Sequence, residues 1–291
     1  MSSVDVAQVR RNFARAAQGY EDASFFPREI ASRMLERLDY VKIAPQCVVD
    51  VGCGTGSGLG ALSERYPKAQ VVGIDFSETM LRAGRSRNAR LRWLLPFLRG
   101  HKAALVAGDA LSLPIRSGAA GLLWSNLMLH WLGDPLPAFR EMHRALASEG
   151  LLMFSTLGPD TLKELRASFS DGFAHGHEFI DMHDYGDMLM ACGFADPVVD
   201  VEVVTLTYPG VDEFFAELRA NGASCALPTR RRGLMGKGEW RAMRERYSEL
   251  VREGRLPATF EVVYGHAWKG LARTSADGRA IVHFDPKARA R

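Results

Sequence analysis

Apolar positions change their period several times along the chain, and those changes outline its elements. Val6, Val9, Phe13 and Ala17 recur at helical spacing, and Ile30, Met34 and Leu38 do so again after Pro27, a residue suited to a helix start. The period then shortens. Cys47-Val48-Val49-Asp50-Val51 predicts a buried strand, and Gly52-Cys53-Gly54-Thr55-Gly56 follows at once. A helix to Tyr66, a strand over Val71–Asp75 and a helix carrying Met80 and Leu81 come next, with Ser77 at the N-cap. Further apolar runs at Ala103–Ala107, Ala120–Trp124 and Gly150–Ser155 predict three more strands. A helix carrying Leu136, Phe139, Arg140, His143 and Leu146 separates the last two.

Strands alternating with helices require parallel pairing, so the expected fold is α/β, a doubly wound, mostly parallel sheet. Helices are expected over Thr161–Phe169 and over Met182–Ala191, the latter stopped by Gly193. Val198–Thr207 and Phe260–Trp268 alternate and are expected as late strands, antiparallel at the sheet edge. Helical insertions at Val211–Ala220 and Gly238–Glu253 fall between them. No Pro-, Gly- or Ser-rich linker divides the chain, so a single domain is expected. Its parts are an N-terminal helical cap (1–45), a core (46–160), late strands with helical insertions (161–275) and a tail (276–291).

Composition narrows the class. The 291 residues are 47% apolar and 24% charged, enough to bury a core without cross-links. Cys47, Cys53, Cys192 and Cys225 lack metal-ligand spacing and are expected as reduced thiols, with no metal. Neither an apolar leader nor a span of about 20 residues is visible, which predicts a cytoplasmic protein without membrane attachment. The net charge of +3 is uneven: Arg82–Lys102 holds seven basic residues and no acid, and Pro228–Leu256 holds nine basic and four acidic, leaving −9 elsewhere. Such localised positive charge suits an anionic partner better than general nucleic-acid binding, which is not expected.

The glycine loop carries the chemistry. A strand ending in a Gly-rich turn before a helix brings a ligand against free backbone N–H groups. The spacing is not the dinucleotide fingerprint, because Ser57 stands where GxGxxG needs glycine. Asp75 ends the next strand, 23 residues after Gly52, where an acid accepts hydrogen bonds from ribose hydroxyls. Gly108-Asp109-Ala110 and Ser125-Asn126 close the third and fourth strands.

This ordered set resembles the class I S-adenosylmethionine-dependent methyltransferases, which have a Rossmann-like fold. The resemblance implies S-adenosylmethionine as cofactor, with Asp50, Gly52, Cys53, Gly54, Gly56, Asp75, Phe76, Met80, Asp109, Ala110 and Asn126 as its contacts. Asp109 is then expected at the adenine amino group and Asn126 near the methionine part. Phe13-x-x-Ala16-Ala17-x-x-Tyr20, Leu129-His130-Trp131 and Ser155-Thr156-Leu157-Gly158 with Thr161-Leu162-x-Glu164-Leu165-Arg166 resemble, more narrowly, the BioC family. These are malonyl-[acyl-carrier protein] O-methyltransferases of biotin synthesis. The resemblance runs from Val9 to about Lys269, and the Arg85–Lys102 stretch is longer than the family pattern.

Malonyl-acyl carrier protein, or malonyl-CoA, is the substrate this implies. Its carboxylate is already ionised at neutral pH, so no general base is needed. Tyr20 is expected to close over the cofactor, Arg166 to hold the carboxylate, and His130 to be a packed histidine. The same motifs also fit a methyltransferase of quinone-type small molecules. They fit a cofactor-fold hydroxylase or assembly factor as well, since a mitochondrial complex I assembly factor shares the STLG…TLxELR region.

Overall fold

The computed structural model describes residues 4–94 and 103–271. The expected tail and most of the Arg85–Lys102 stretch lie outside the described residues; α5 is described as backbone to Leu94, with side chains only as far as Ala89.

Three helices, α1 (Val6–Ala16), α2 (Tyr20–Ala23) and α3 (Phe25–Arg37), precede the sheet. Then follow β1 (Cys47–Val51), α4 (Leu59–Arg65), β2 (Gln70–Asp75), α5 (Glu78–Leu94), β3 (Ala104–Ala107), β4 (Ala120–Asn126), α6 (Leu136–Ala145) and β5 (Leu146–Leu157). The chain continues through α7 (Lys163–Ser168), α8 (Met182–Ala191), β6 (Phe194–Tyr208), α9 (Val211–Ala220), α10 (Lys237–Ser248) and β7 (Leu256–Lys269). The seven strands form one sheet in the order β3-β2-β1-β4-β5-β7-β6. This is the doubly wound α/β arrangement that the alternation predicts.

The late strands differ from expectation in one respect. β7 is antiparallel to both β5 and β6, so it alone is reversed, and it lies inside the sheet. β6 forms the edge and runs in the same direction as β1–β5. Burial explains the placement. β6 alternates between half-buried and exposed positions, as an edge strand with one wet face should, whereas β7 is buried on both faces. Ser77 precedes α5 as expected, but its buried hydroxyl has no hydrogen-bond partner.

Side chains alternate across the sheet to feed two cores. Phe26, Ile30 and Met34 of α3 pack with Val48, Trp124 and Tyr264 on one face. Phe139, Met142, Tyr185 and Leu189 pack with Val49, Val51 and Phe154 on the other. The carboxyl ends of β1–β4, where the glycine loop and Asp75, Asp109 and Asn126 all fall, share one edge beneath α1–α3. At that edge of open parallel sheets, ligands bind.

Candidate active site

The glycine loop is shaped by close approach. Gly52 has φ +83°, and a Cβ there would lie 2.3 Å from Cγ of Met128. Its N–H and that of Cys53 both donate to the Ile74 carbonyl, at 2.8 and 3.0 Å, which fastens the loop to β2. Gly56 serves packing instead, since a Cβ would meet Leu105 at 2.9 Å and Leu59 at 3.0 Å. From the far side Gly84 of α5 reaches the loop so closely that a Cβ would stand 2.0 Å from the Thr55 carbonyl oxygen.

Two buried acids border the loop. Asp75 accepts the N–H of Gly54 through Oδ2 and that of Ser77 through Oδ1, each at 2.8 Å. Burial raises its pKa and these two N–H groups work against the rise. Asp50 accepts no hydrogen bond from the described residues, and burial together with the Asp75 charge pushes it up to about 7. A buried carboxylate without a donor is costly unless a ligand supplies one. Asp109 is exposed and accepts the Leu111 N–H at 2.9 Å.

The N-terminal helices roof this edge. The ring of Tyr20 covers Gly54, where a Cβ would meet its Cε1 at 3.8 Å. Its hydroxyl is held protonated by burial and by the charges of Asp75, Glu21 and Asp50. Glu21 accepts from the Thr55 hydroxyl and pairs with Arg87 of α5, tying roof to loop. Phe13 packs edge-on to Trp131 at 5.1 Å, and Trp131 to His177 at 4.9 Å. Burial holds His130 down at about 3, with help from His177, and its Nδ1 has no partner.

A cavity of about 480 Å³ lies between roof and edge. Asp50, Gly52, Cys53 and Gly54 line it from the loop, Asp75 and Phe76 from the end of β2, Met80 from α5, and Asp109 and Ala110 from the end of β3. Asn126, Tyr20 and His130 complete that part. Asn126 also braces the roof: its Nδ2 donates to the Pro27 carbonyl at 2.9 Å, and its Oδ1 accepts from Ser155 at 2.8 Å. The cavity continues to Leu157, Tyr208, Leu218 and Phe260, under the β5, β7 and β6 half of the sheet, where Tyr208 donates to Glu217 at 3.0 Å.

Two predicted residues are not brought to this cavity. Gly56 packs behind the loop. Arg166 lies beyond the lining, with its guanidinium spent on the carbonyls of Thr161 and Pro159. Arg28, Glu21 and Glu217 belong to the site or its roof without having been singled out, while Trp131 reads only as part of a family motif. They sit in ordinary helical or late-chain sequence, and only the fold assembles them.

The residues present fit S-adenosylmethionine. The loop offers open backbone, Asp50 lacks a donor that an ammonium group would supply, and the acids around Tyr20 oppose a cationic sulfonium. Among the described residues no cluster of His, Cys, Asp and Glu has metal-binding form, and no helix is long and apolar enough to cross a membrane.

Comparison with known proteins agrees with this geometry. The methyltransferase-domain family matches residues 49–154. A malonyl-[acyl-carrier protein] O-methyltransferase of Laribacter hongkongensis is 49% identical over 98% of this chain and 97% of its own. That of Gallionella capsiferriformans is 46% identical over 96% of each. Among solved structures, a methyltransferase-like protein of Bacillus halodurans superposes with TM-score 0.57 at 16% identity, covering 84% of this chain and 100% of its own. The [4+2]-cyclase SpnF does so at 0.53 and 19%, covering 84% and 81%. The latter pair shares only the fold, so fold alone does not assign a reaction.

Proposed function

The chain belongs to the malonyl-[acyl-carrier protein] O-methyltransferase family, and from that premise we propose that it methylates the free carboxylate of a malonyl thioester on acyl carrier protein. The observation that carries this reading is the grouping of Asp50, Asp75 and Asp109 around an open glycine loop, in a cavity that continues past the cofactor residues under β5, β7 and β6. S-adenosylmethionine supplies an already activated methyl group on a sulfonium.

The chain's own residues then have to bind, align and dry. Asp75 and the loop position the nucleoside end, and Asp50 offers a carboxylate to the ammonium group. Tyr20, kept protonated, covers the loop and excludes water, which sharpens the electrostatics beneath it. No residue has to move a proton. S-adenosylmethionine bound there would supply its methyl group to a carboxylate oxygen of the substrate, the S–CH₃ bond's electron pair staying on sulfur as a neutral thioether. Burial lowers the His130 pKa to about 3, so it would be only a weak base at physiological pH. Rate enhancement on this reading comes from in-line alignment and desolvation.

The product has lost its charge and resembles an ordinary acyl chain, which suits an ester that opens the pimeloyl branch of biotin synthesis in the cytoplasm. Residues 1–45 and the insertions within 161–275 are the acceptor-side parts of a single domain in this view. Incubation with labelled S-adenosylmethionine and malonyl carrier protein should give a malonyl methyl ester. Label appearing in no ester, with the carrier protein or with malonyl-CoA, overturns the proposal.

A further inference from the structure

An acidic acceptor faces an electrostatic obstacle in this cavity. Its lining carries four carboxyl groups, Asp50, Asp75, Asp109 and Glu217, and one basic side chain among the described residues, Arg28. A malonyl carboxylate entering without a counter-charge would be repelled by the two carboxylates nearest the loop. Arg166, which sequence alone favours for this task, is turned onto backbone carbonyls outside the lining.

Arg28 is placed to serve instead. It occupies the first turn of α3, and its Nη1 donates to the Glu21 carbonyl at 2.8 Å. Glu21 directly follows Tyr20, whose ring covers Gly54. The residue before Arg28, Pro27, accepts the Asn126 amide at 2.9 Å. The guanidinium is thereby held at the roof of the cavity, against the turn that follows Tyr20, and the residue before it is braced to Asn126 at the end of β4. Arg28 is exposed, and no carboxylate among the described residues pairs with it. One anchored nitrogen sets the plane of the group, and its other donors remain open to a ligand.

We propose that Arg28 binds the free carboxylate of the acceptor and so selects acidic acyl thioesters over neutral ones. The inference rests on the malonyl reading given above. It also accounts for release: transfer converts the carboxylate to an ester, so the product no longer offers Arg28 a charge. Glu217, in the other half of the cavity, keeps the carboxylate from binding there and leaves that half to the uncharged thioester arm.

The test measures binding without turnover. With S-adenosylhomocysteine bound, the wild-type protein should bind malonyl carrier protein about 10- to 100-fold more tightly than acetyl carrier protein, the range of a hydrogen-bonded charge pair. Arg28→Ala should abolish that preference while leaving S-adenosylhomocysteine affinity and the melting temperature unchanged. Arg28→Lys should restore part of it. In turnover, Arg28→Ala should raise KM for malonyl carrier protein more than it lowers kcat. Retained preference in Arg28→Ala, or no preference in the wild type, overturns the inference. Methyl-ester formation by the wild type decides the underlying reading separately, because a wild type that prefers malonyl carrier protein yet makes no ester defeats only that reading.

Discussion

Oδ2 of Asp75 accepts the backbone N–H of Gly54 at 2.8 Å, so the acid that ends β2 and the loop that follows β1 form one unit. The acid therefore has one structural task and one expected one. It faces the cavity, and it holds the loop in the shape that admits a ligand.

Substitution should separate the tasks. Asp75→Ala loses the expected ribose acceptor and both backbone bonds, and should weaken S-adenosylmethionine binding at least about tenfold while costing about 1–3 kcal/mol of stability. Asp75→Asn keeps one acceptor oxygen, so it should recover much of the stability and little of the affinity. Calorimetry and thermal melts on the two variants check this. Unchanged affinity in Asp75→Ala would remove Asp75 from the cofactor site.

Close approach of α5 to the loop makes a second expectation. Gly84→Ala forces a methyl group onto the Thr55 carbonyl, which is backbone and cannot rotate away. It should destabilise by about 1–3 kcal/mol and reduce cofactor affinity through the displaced loop. A Cβ on Gly60 of α4 would meet nothing within 4 Å, so Gly60→Ala should stabilise by up to about 1 kcal/mol. Paired melts that rank the two variants the other way round would contradict the packing described.

What was legible in the sequence depended on how local its cause is. Strands β1–β5 and their strand-end acids show because each parallel strand is a short apolar run, buried in all but the edge strand β3, and a loop needs glycine where φ is positive. The place of β7 does not show, since an alternating strand reads alike at an edge or inside, and only burial against β5 and β6 tells them apart. Gly84 looks like a weak helix residue until Thr55 is seen against it. Arg166 and Arg28 are both helical arginines. Their neighbours in space, carbonyls for one and the cavity for the other, have no signature nearby in the chain.

Buried groups with opposing slopes contribute to acid stability. His130 and His177 are held at about 3 and about 4, below their ordinary 6.5, so their contribution is full above pH 6.5 and is lost as pH falls through the folded values. Asp50 is raised to about 7, so its contribution is present near pH 4 and is lost as pH rises toward 7. The lowered histidines, His143 and His266 included, outnumber the raised aspartates Asp50 and Asp75, so stability should fall on acidification from pH 6.5 to 4. Asp50→Asn should steepen that fall and His130→Gln should lessen it, as melts across the range will show. With His130 neutral throughout, the single-turnover rate at saturating substrates should stay level from pH 6 to 8.

Recruitment of the carrier protein is the remaining expectation, and the structure divides the two basic stretches. In Pro228–Leu256, Arg230 pairs with Asp5, Arg231 with Asp171 and Glu239, and Arg244 with Asp212. Those three charges are balanced within the chain, while the stretch's other six basic residues have no ion pair among the described residues. In the other stretch Arg82 pairs with Glu78 and Arg87 with Glu21, while Arg90, Arg92 and Arg99 have side chains outside the described residues. The charge excess around these three has no acid near it in sequence, and an acidic carrier protein would be attracted over about 8 Å at physiological ionic strength. Reversing Arg90, Arg92 and Arg99 to Glu should raise KM for malonyl carrier protein several-fold and make it less sensitive to salt. Malonyl-CoA turnover should change much less, because that substrate brings no protein surface. Reversing Arg230 and Arg244 should cost stability and leave the KM ratio of the two substrates unaltered. Equal losses on both substrates in the triple reversal would place the damage at the active site and end the docking argument.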